Sequence, residues 1–270
     1  MKKLILSLLI LGFVTAAQAQ KEPILKSKKG HYILPQTGDW AIGISANTFL
    51  NYAGNMFSNN NNAPDFSFFD QNNTVFGKKF VSENFAYRGS LSMLYGNSTE
   101  NVFVKDLAPG AASDATVTDK INAQNFEMIL RGGIEYRRGS GRLQGVYGAY
   151  AQVGYSSGNT NSRTYGNSME NYRSVALSRQ TEYKEGTGMN FGLFGFAGVE
   201  YFFAPRISIG GEFNLGALYY MEGKTTRTEE VWNNSTSSAE ILKKDVQANS
   251  SEINISTDNL GGVLKLMFHF

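Results

Sequence analysis

Residues 260–270 read LGGVLKLMFHF, and their alternation decides the fold. Successive side chains of an extended strand point to opposite faces. Leu264, Leu266, Phe268 and Phe270 therefore share one face, and Val263, Lys265, Met267 and His269 share the other. An apolar face set against one that carries a lysine and a histidine suits a segment with lipid on one side and a polar interior on the other.

The same period recurs upstream. In residues 124–137, Phe126, Met128, Leu130, Ile134 and Tyr136 alternate with Glu127, Arg131 and Glu135. An arginine at mid-bilayer on a lipid face costs about 2–4 kcal/mol, so the three charges must point inward. In residues 85–96, Phe85, Tyr87, Leu91, Met93 and Tyr95 oppose Arg88, Ser90 and Ser92. In residues 207–220, Ile207, Ile209, Phe213 and Leu215 oppose Ser208, Glu212 and Asn214. Residues 38–50 set Trp40, Ile42, Ile44 and Ala46 against Ala41, Gly43, Ser45 and Asn47.

Residues 73–80, 145–155 and 188–202 bring the count to eight strands. The facing of 73–80 is ambiguous, because Phe76 and Phe80 share parity with Lys78. In 188–202, the parity that keeps Glu200 inside also turns Phe194 and Phe196 inward, and a bulge is one way out.

The links alternate in length. Residues 81–84, 138–144 and 203–206 are short, whereas 51–72, 97–123, 156–186 and 221–259 are long and polar. All five prolines, Pro23, Pro35, Pro64, Pro109 and Pro205, fall outside the strands, as a ladder that uses every backbone donor requires. The expected fold is all-β: an eight-stranded antiparallel transmembrane β-barrel with short periplasmic turns and long extracellular loops.

The N-terminus supplies an address. Lys2 and Lys3, an apolar run over residues 4–14 and the triplet Ala17, Gln18, Ala19 read as a signal peptide over residues 1–19. An uncleaved anchor is the alternative, but the apolar run is short for a bilayer span. Residues 20–37 read as a periplasmic leader with little structure of its own, and 38–270 as the barrel. Without Lys2 and Lys3 the charges balance at 23 basic against 23 acidic, which gives no support to nucleic-acid binding. With 29 Gly, 19 Phe and 14 Tyr, the composition favours strands with aromatic belts. The absence of cysteine removes disulfides, a lipoprotein anchor and thiol metal sites.

Across roughly residues 38–270, the chain resembles the small outer-membrane β-barrel family of OmpX, OmpW and OmpA transmembrane-domain type. The stretch VFGKKFVSENFAYRG, residues 75–89, is similar to an early strand, turn and strand of such barrels. The ending LKLMFHF resembles the signal read by the barrel-assembly machinery, with Leu264, Leu266, Phe268 and Phe270 as its apolar face. The resemblance implies the outer membrane as location, and outer-membrane lipid and the assembly machinery as partners. The chain departs from full-length OmpA-type proteins, which carry a peptidoglycan-binding domain after the barrel, and cell-wall tethering is therefore not expected.

Some barrels of this membrane are hydrolases or acyltransferases that use a histidine near the outer leaflet. Here His31 falls in the leader and His269 at the periplasmic end of the last strand, so no catalytic residue is expected. The inward charges Arg88, Glu127, Arg131, Glu135, Glu200, Glu212 and Lys265 are expected to pair as a plug, because eight strands enclose little more than side chains. Salt bridges are expected for Arg88 with Glu135 and for Glu212 with Lys265.

The asparagine run 59–62 with Asp65 and Asp70 has no calcium-loop spacing, and neither metal nor cofactor is expected. Phe66, Phe68 and Phe69 are candidate contacts in an external loop. Near the longest loop, Ile253 and Ile255 alternate with polar neighbours, so the last hairpin could continue as a sheet whose edge pairs with another protein. The resulting expectation is a monomeric, non-enzymatic protein with a structural or surface-interaction role through its loops. A narrow porin-like channel or transporter for small solutes is the alternative. A secreted lipocalin-like binder, the third reading, should carry its apolar residues inside.

Overall fold

The structure, a computed structural model, describes residues 25–45, 74–139, 141–256 and 263–270. The signal-peptide segment 1–19, the asparagine run and Phe66, Phe68 and Phe69 lie outside the described residues. Among those described, eight strands close into an antiparallel ring: β1 (Trp40–Ser45), β2 (Thr74–Ser82), β3 (Phe85–Lys105), β4 (Thr116–Arg138), β5 (Leu143–Ser156), β8 (Gly188–Ala204), β9 (Ile207–Glu222) and β13 (Val263–His269). The other five strands are β6 (Thr160–Thr164), β7 (Ser178–Lys184), β10 (Thr225–Asn233), β11 (Ser238–Gln247) and β12 (Ser250–Ser256). Pairing of β1 with β13, from Ala41 opposite His269 to Ser45 opposite Lys265, closes the ring.

Alternation sorts the side chains as the strand period requires. Trp40, Ile42, Tyr87, Met93, Leu130, Tyr147, Leu193, Val199, Phe213, Leu215 and Phe270 are exposed on the outer surface. Lys78, Glu135, Arg137, Glu200, Glu212, Lys265 and His269 are buried inside. Phe76 and Phe80 resolve the ambiguity of β2, since both are buried on the Lys78 face. The bulge considered for residues 188–202 is not found near Phe194 and Phe196. Register is continuous with β5 throughout and with β9 as far as Tyr201, and Phe196 is buried.

Inner glycines make room for the large rings. The Tyr150 and Phe194 rings stack with centroids 5.1 Å apart, and Phe194 occupies the space that a Cβ on Gly192 or Gly216 would need. Gly133 and Gly132 give a local test. A Cβ on Gly133 would lie 2.6 Å from the Tyr150 Cα, whereas one on Gly132 would meet nothing within 4 Å. Gly133→Ala is expected to cost about 1–3 kcal/mol by overpacking against backbone. Gly132→Ala should leave the thermal unfolding midpoint of the folded protein nearly unchanged.

One end of the ring carries the short turns, and the N-terminal segment is packed there. Residues 25–37 have little regular structure, as expected, beyond one isolated bridge, but the segment is packed and not free. Ile33 and Pro35 are buried, and Lys26 bridges to Tyr32. Arg206, in the β8–β9 turn with φ 62°, ties the parts together. Its N–H donates to the Ile33 carbonyl at 3.2 Å, its carbonyl accepts from the His269 N–H at 2.8 Å, and its guanidinium lies 3.5 Å from Asp39.

At the opposite end the expected loops are largely sheet. Strands β3 and β4 stay paired from Phe85–Tyr136 out to Lys105–Thr116, well past the ring contacts of β4 with β5. β6 adds to this extension of β4, and β7, β10 and β11 follow in order, while β12 pairs with the upper part of β9. A one-turn helix, α1 (Met169–Tyr172), packs near β10 and β11. Its Ser168 cap accepts the Asn171 N–H at 3.2 Å.

Candidate functional site

Two constellations stand out, one inside the ring and one on the projecting sheet. Inside, Glu135 of β4 lies 2.7 Å from the Lys78 ammonium and 3.5 Å from both Arg88 and Arg137. Glu200 of β8 engages Lys78 at 3.2 Å, the Arg137 guanidinium, and His269 at 3.4 Å, and it accepts the Ser208 hydroxyl at 2.6 Å. Glu212 of β9 receives Arg88 at 2.9 Å and Lys265 at 2.5 Å. The two pairs expected from the sequence are both within ion-pair range. They belong to one network, because Lys78 joins Glu135 to Glu200 and Arg88 joins Glu135 to Glu212.

Aromatic faces complete the packing. Arg137 lies over Phe80 and Phe202, Arg88 over Phe196, and Lys265 over Phe76, with cation-to-centroid distances of 4.0 to 5.4 Å. His269 is held between the Phe80 and Phe202 rings. Buried charges survive only when paired and hydrogen-bonded, and here six strands contribute to one closed set. Every Lys and Arg in it lies within ion-pair distance of a carboxylate, with Glu135, Glu200 and Glu212 shared among Lys78, Arg88, Arg137 and Lys265. The cluster occupies the half of the ring nearest the short turns.

Glu127 and Arg131 also point inward but lie farther up β4, outside the cluster. Arg131 donates to Gln152 at 2.8 Å, and Gln152 donates to Asn190 at the same distance, so this level is polar rather than ionically sealed. Lys78 and Arg137 were missing from the sequence-derived set. Arg137 shares the parity of Glu127, Arg131 and Glu135, and that signal could have found it.

The second constellation was not legible as a site. On the projecting sheet, Asp119 of β4 is buried and accepts Arg163 at 2.8 and 3.0 Å and the Gly166 N–H at 2.9 Å. Arg179 of β7 donates to Glu230 at 2.7 Å and to the Asn167 carbonyl at 2.9 Å, and it lies over the Tyr165 and Tyr172 rings. Arg173 covers Trp232. Burial raises the Tyr165 hydroxyl above the usual phenol range, and that hydroxyl donates to the Gln180 carbonyl at 2.7 Å. A concavity of about 800 Å³ opens among Arg163, Tyr165, Arg179, Glu230, Trp232 and Ile241. Arg163 is paired with Asp119 and Arg179 with Glu230, and these contacts tie the sheet to the segment that carries the helix.

Among the described residues, no group of three or more potential ligands could hold a metal ion. His31 and His269 are far apart in role: His31 lies in the packed N-terminal segment and His269 is sealed inside the ring. The chain matches no protein-family model and no curated protein.

Proposed function

We propose that this protein is an integral β-barrel of a bacterial outer membrane, non-enzymatic, with a filled lumen and a rigid external sheet that serves surface interaction. The observation that carries the reading is the division of side chains by the ring: aromatic and aliphatic groups cover the outside, while Lys78, Arg88, Glu135, Arg137, Glu200, Glu212 and Lys265 are paired inside. In water such an outer surface would be an extended apolar patch far beyond what soluble proteins expose, and in lipid it is the required surface. A lipocalin-like binder would show the reverse pattern. The resemblance to the OmpX, OmpW and OmpA transmembrane-domain type fits this reading, with the short-turn end toward the periplasm and the projecting sheet outside.

The native protein should fractionate with outer-membrane vesicles, resist extraction by salt or alkaline wash, and require detergent for release. Recovery in the soluble periplasmic or culture fraction would refute the proposal. The alternative of a narrow channel makes a separate demand. Because the Lys78–Glu135–Arg137–Glu200 cluster and the Phe80 and Phe202 rings fill the turn end, purified protein in planar bilayers should show no stable conductance steps. Reproducible single-channel currents would favour the channel.

A further inference from the structure

We propose that β11 is a docking edge for a second copy of this chain, paired antiparallel about a two-fold axis through Leu242. The inference rests on the reading above only in requiring that the projecting sheet stand clear of the membrane. β11 is the terminal strand of the sheet, and among the described residues the only strand paired with it is β10. All ten of its residues are exposed, including Ile241, Leu242 and Val246. A free edge of this length presents unpaired backbone donors and acceptors and is a template for another strand.

Sequence chooses the occupant. A symmetric antiparallel pair sets one residue opposite itself and keeps opposed side chains on one face. Centring the axis on Glu240, Lys243, Lys244 or Asp245 would set like charges face to face. Centring it on Ile241 would set Glu240 against Leu242 and form no ion pair. Only Leu242 sets Glu240 of each copy opposite Lys244 of the other, twice, with the two Leu242 side chains touching between them. Lysines on an edge ordinarily discourage indiscriminate pairing. Here Lys244, which already reaches Glu229 at 3.0 Å on its own chain, gains a second carboxylate in this one register. The ring closes within one chain, and the proposed association, confined to the sheet above it, departs from the monomer expected from the sequence.

The test uses the full-length protein in detergent and in vesicles of defined phospholipid. The chain has no cysteine, so Leu242→Cys introduces a single thiol at the axis. Opposed antiparallel residues have Cα atoms about 4.5–5.5 Å apart, inside the roughly 4.4–6.8 Å that a disulfide spans. Mild oxidation should convert most of this variant to a covalent dimer, with several-fold less from Ser238→Cys. Without oxidation the wild type should have twice the monomer mass by light scattering. Glu240→Lys and Lys244→Glu should each return it to monomer mass, and the double exchange should restore the dimer. A monomeric wild type in membranes, equal crosslinking at both cysteine positions, failure of the double exchange to restore association, or pairing of β11 only with a different protein would each overturn the proposal. A protein that does not enter membranes at all fails the earlier fractionation test instead, so the two failures are distinguishable.

Discussion

Replacing Glu200 by leucine is expected to destabilise the folded protein by about 3–5 kcal/mol, because it leaves buried cations without their counter-charge. The Glu200 carboxylate is shared by Lys78 at 3.2 Å and the Arg137 guanidinium, is approached by His269 at 3.4 Å, and accepts the Ser208 hydroxyl at 2.6 Å. Without it, Lys78 and Arg137 both fall back on Glu135, which Arg88 also approaches. Three cations would then surround one carboxylate in a region closed to water by Phe80 and Phe202. Glu200→Gln keeps hydrogen-bonding atoms in place and should lose less. Denaturant midpoints of the two variants and wild type, measured after refolding into the same vesicles, decide the matter. A leucine variant as stable as wild type would mean that the network is hydrated or dispensable.

The second large effect tests the outer surface. Leu130 is exposed at mid-strand on β4, between Leu91 of β3 and Val153 of β5, both of which are also exposed. In a bilayer, Leu130→Arg should cost about 2–4 kcal/mol, the midplane value for arginine on a barrel's lipid face. Gln124 is on the same face of β4, six residues nearer the projecting sheet, between Asn97 and Thr160. Gln124→Arg should therefore cost about 0–1 kcal/mol, as expected near an interface. Equal effects at the two positions, in vesicle unfolding titrations, would argue against a membrane boundary between them.

The ring was legible in the sequence wherever a charge fixed the parity. Glu127, Arg131 and Glu135 orient β4, and Glu212 and Lys265 orient β9 and β13, because an ion cannot face an apolar exterior at small cost. β2 resisted because Phe76 and Phe80 share the face of Lys78. The structure explains that face by cation–aromatic contact, since Lys265 lies over Phe76 and Arg137 over Phe80. Alternation distinguishes apolar from polar, and inside this ring the two are stacked together.

The projecting sheet was harder to read for a different reason. β6, β7, β10 and β11 carry polar residues on both faces, so no period separates them from loops. They are held instead by ladders that extend from β4 and by contacts such as Arg179 with Glu230, whose partners are 51 residues apart in sequence. The packing of Ile33 and Pro35 was hidden similarly. A short segment without periodicity gives no sign that it will be buried against a turn such as the one containing Arg206.

The central claim is that the ring lies in lipid and the sheet outside it, and the two tryptophans of the chain report on each part separately. Trp40 is exposed on the outer surface of β1, with the Lys79 ammonium 4.5 Å from its ring centre, whereas Trp232 is buried in the projecting sheet beneath Arg173. In vesicles that contain phospholipids brominated near the headgroup end of the acyl chain, a Trp232→Phe protein, which retains Trp40, should be strongly quenched. A Trp40→Phe protein, which retains Trp232, should fluoresce as it does in unbrominated lipid. Loss of quenching at Trp40, or equal quenching at both positions, would contradict the account.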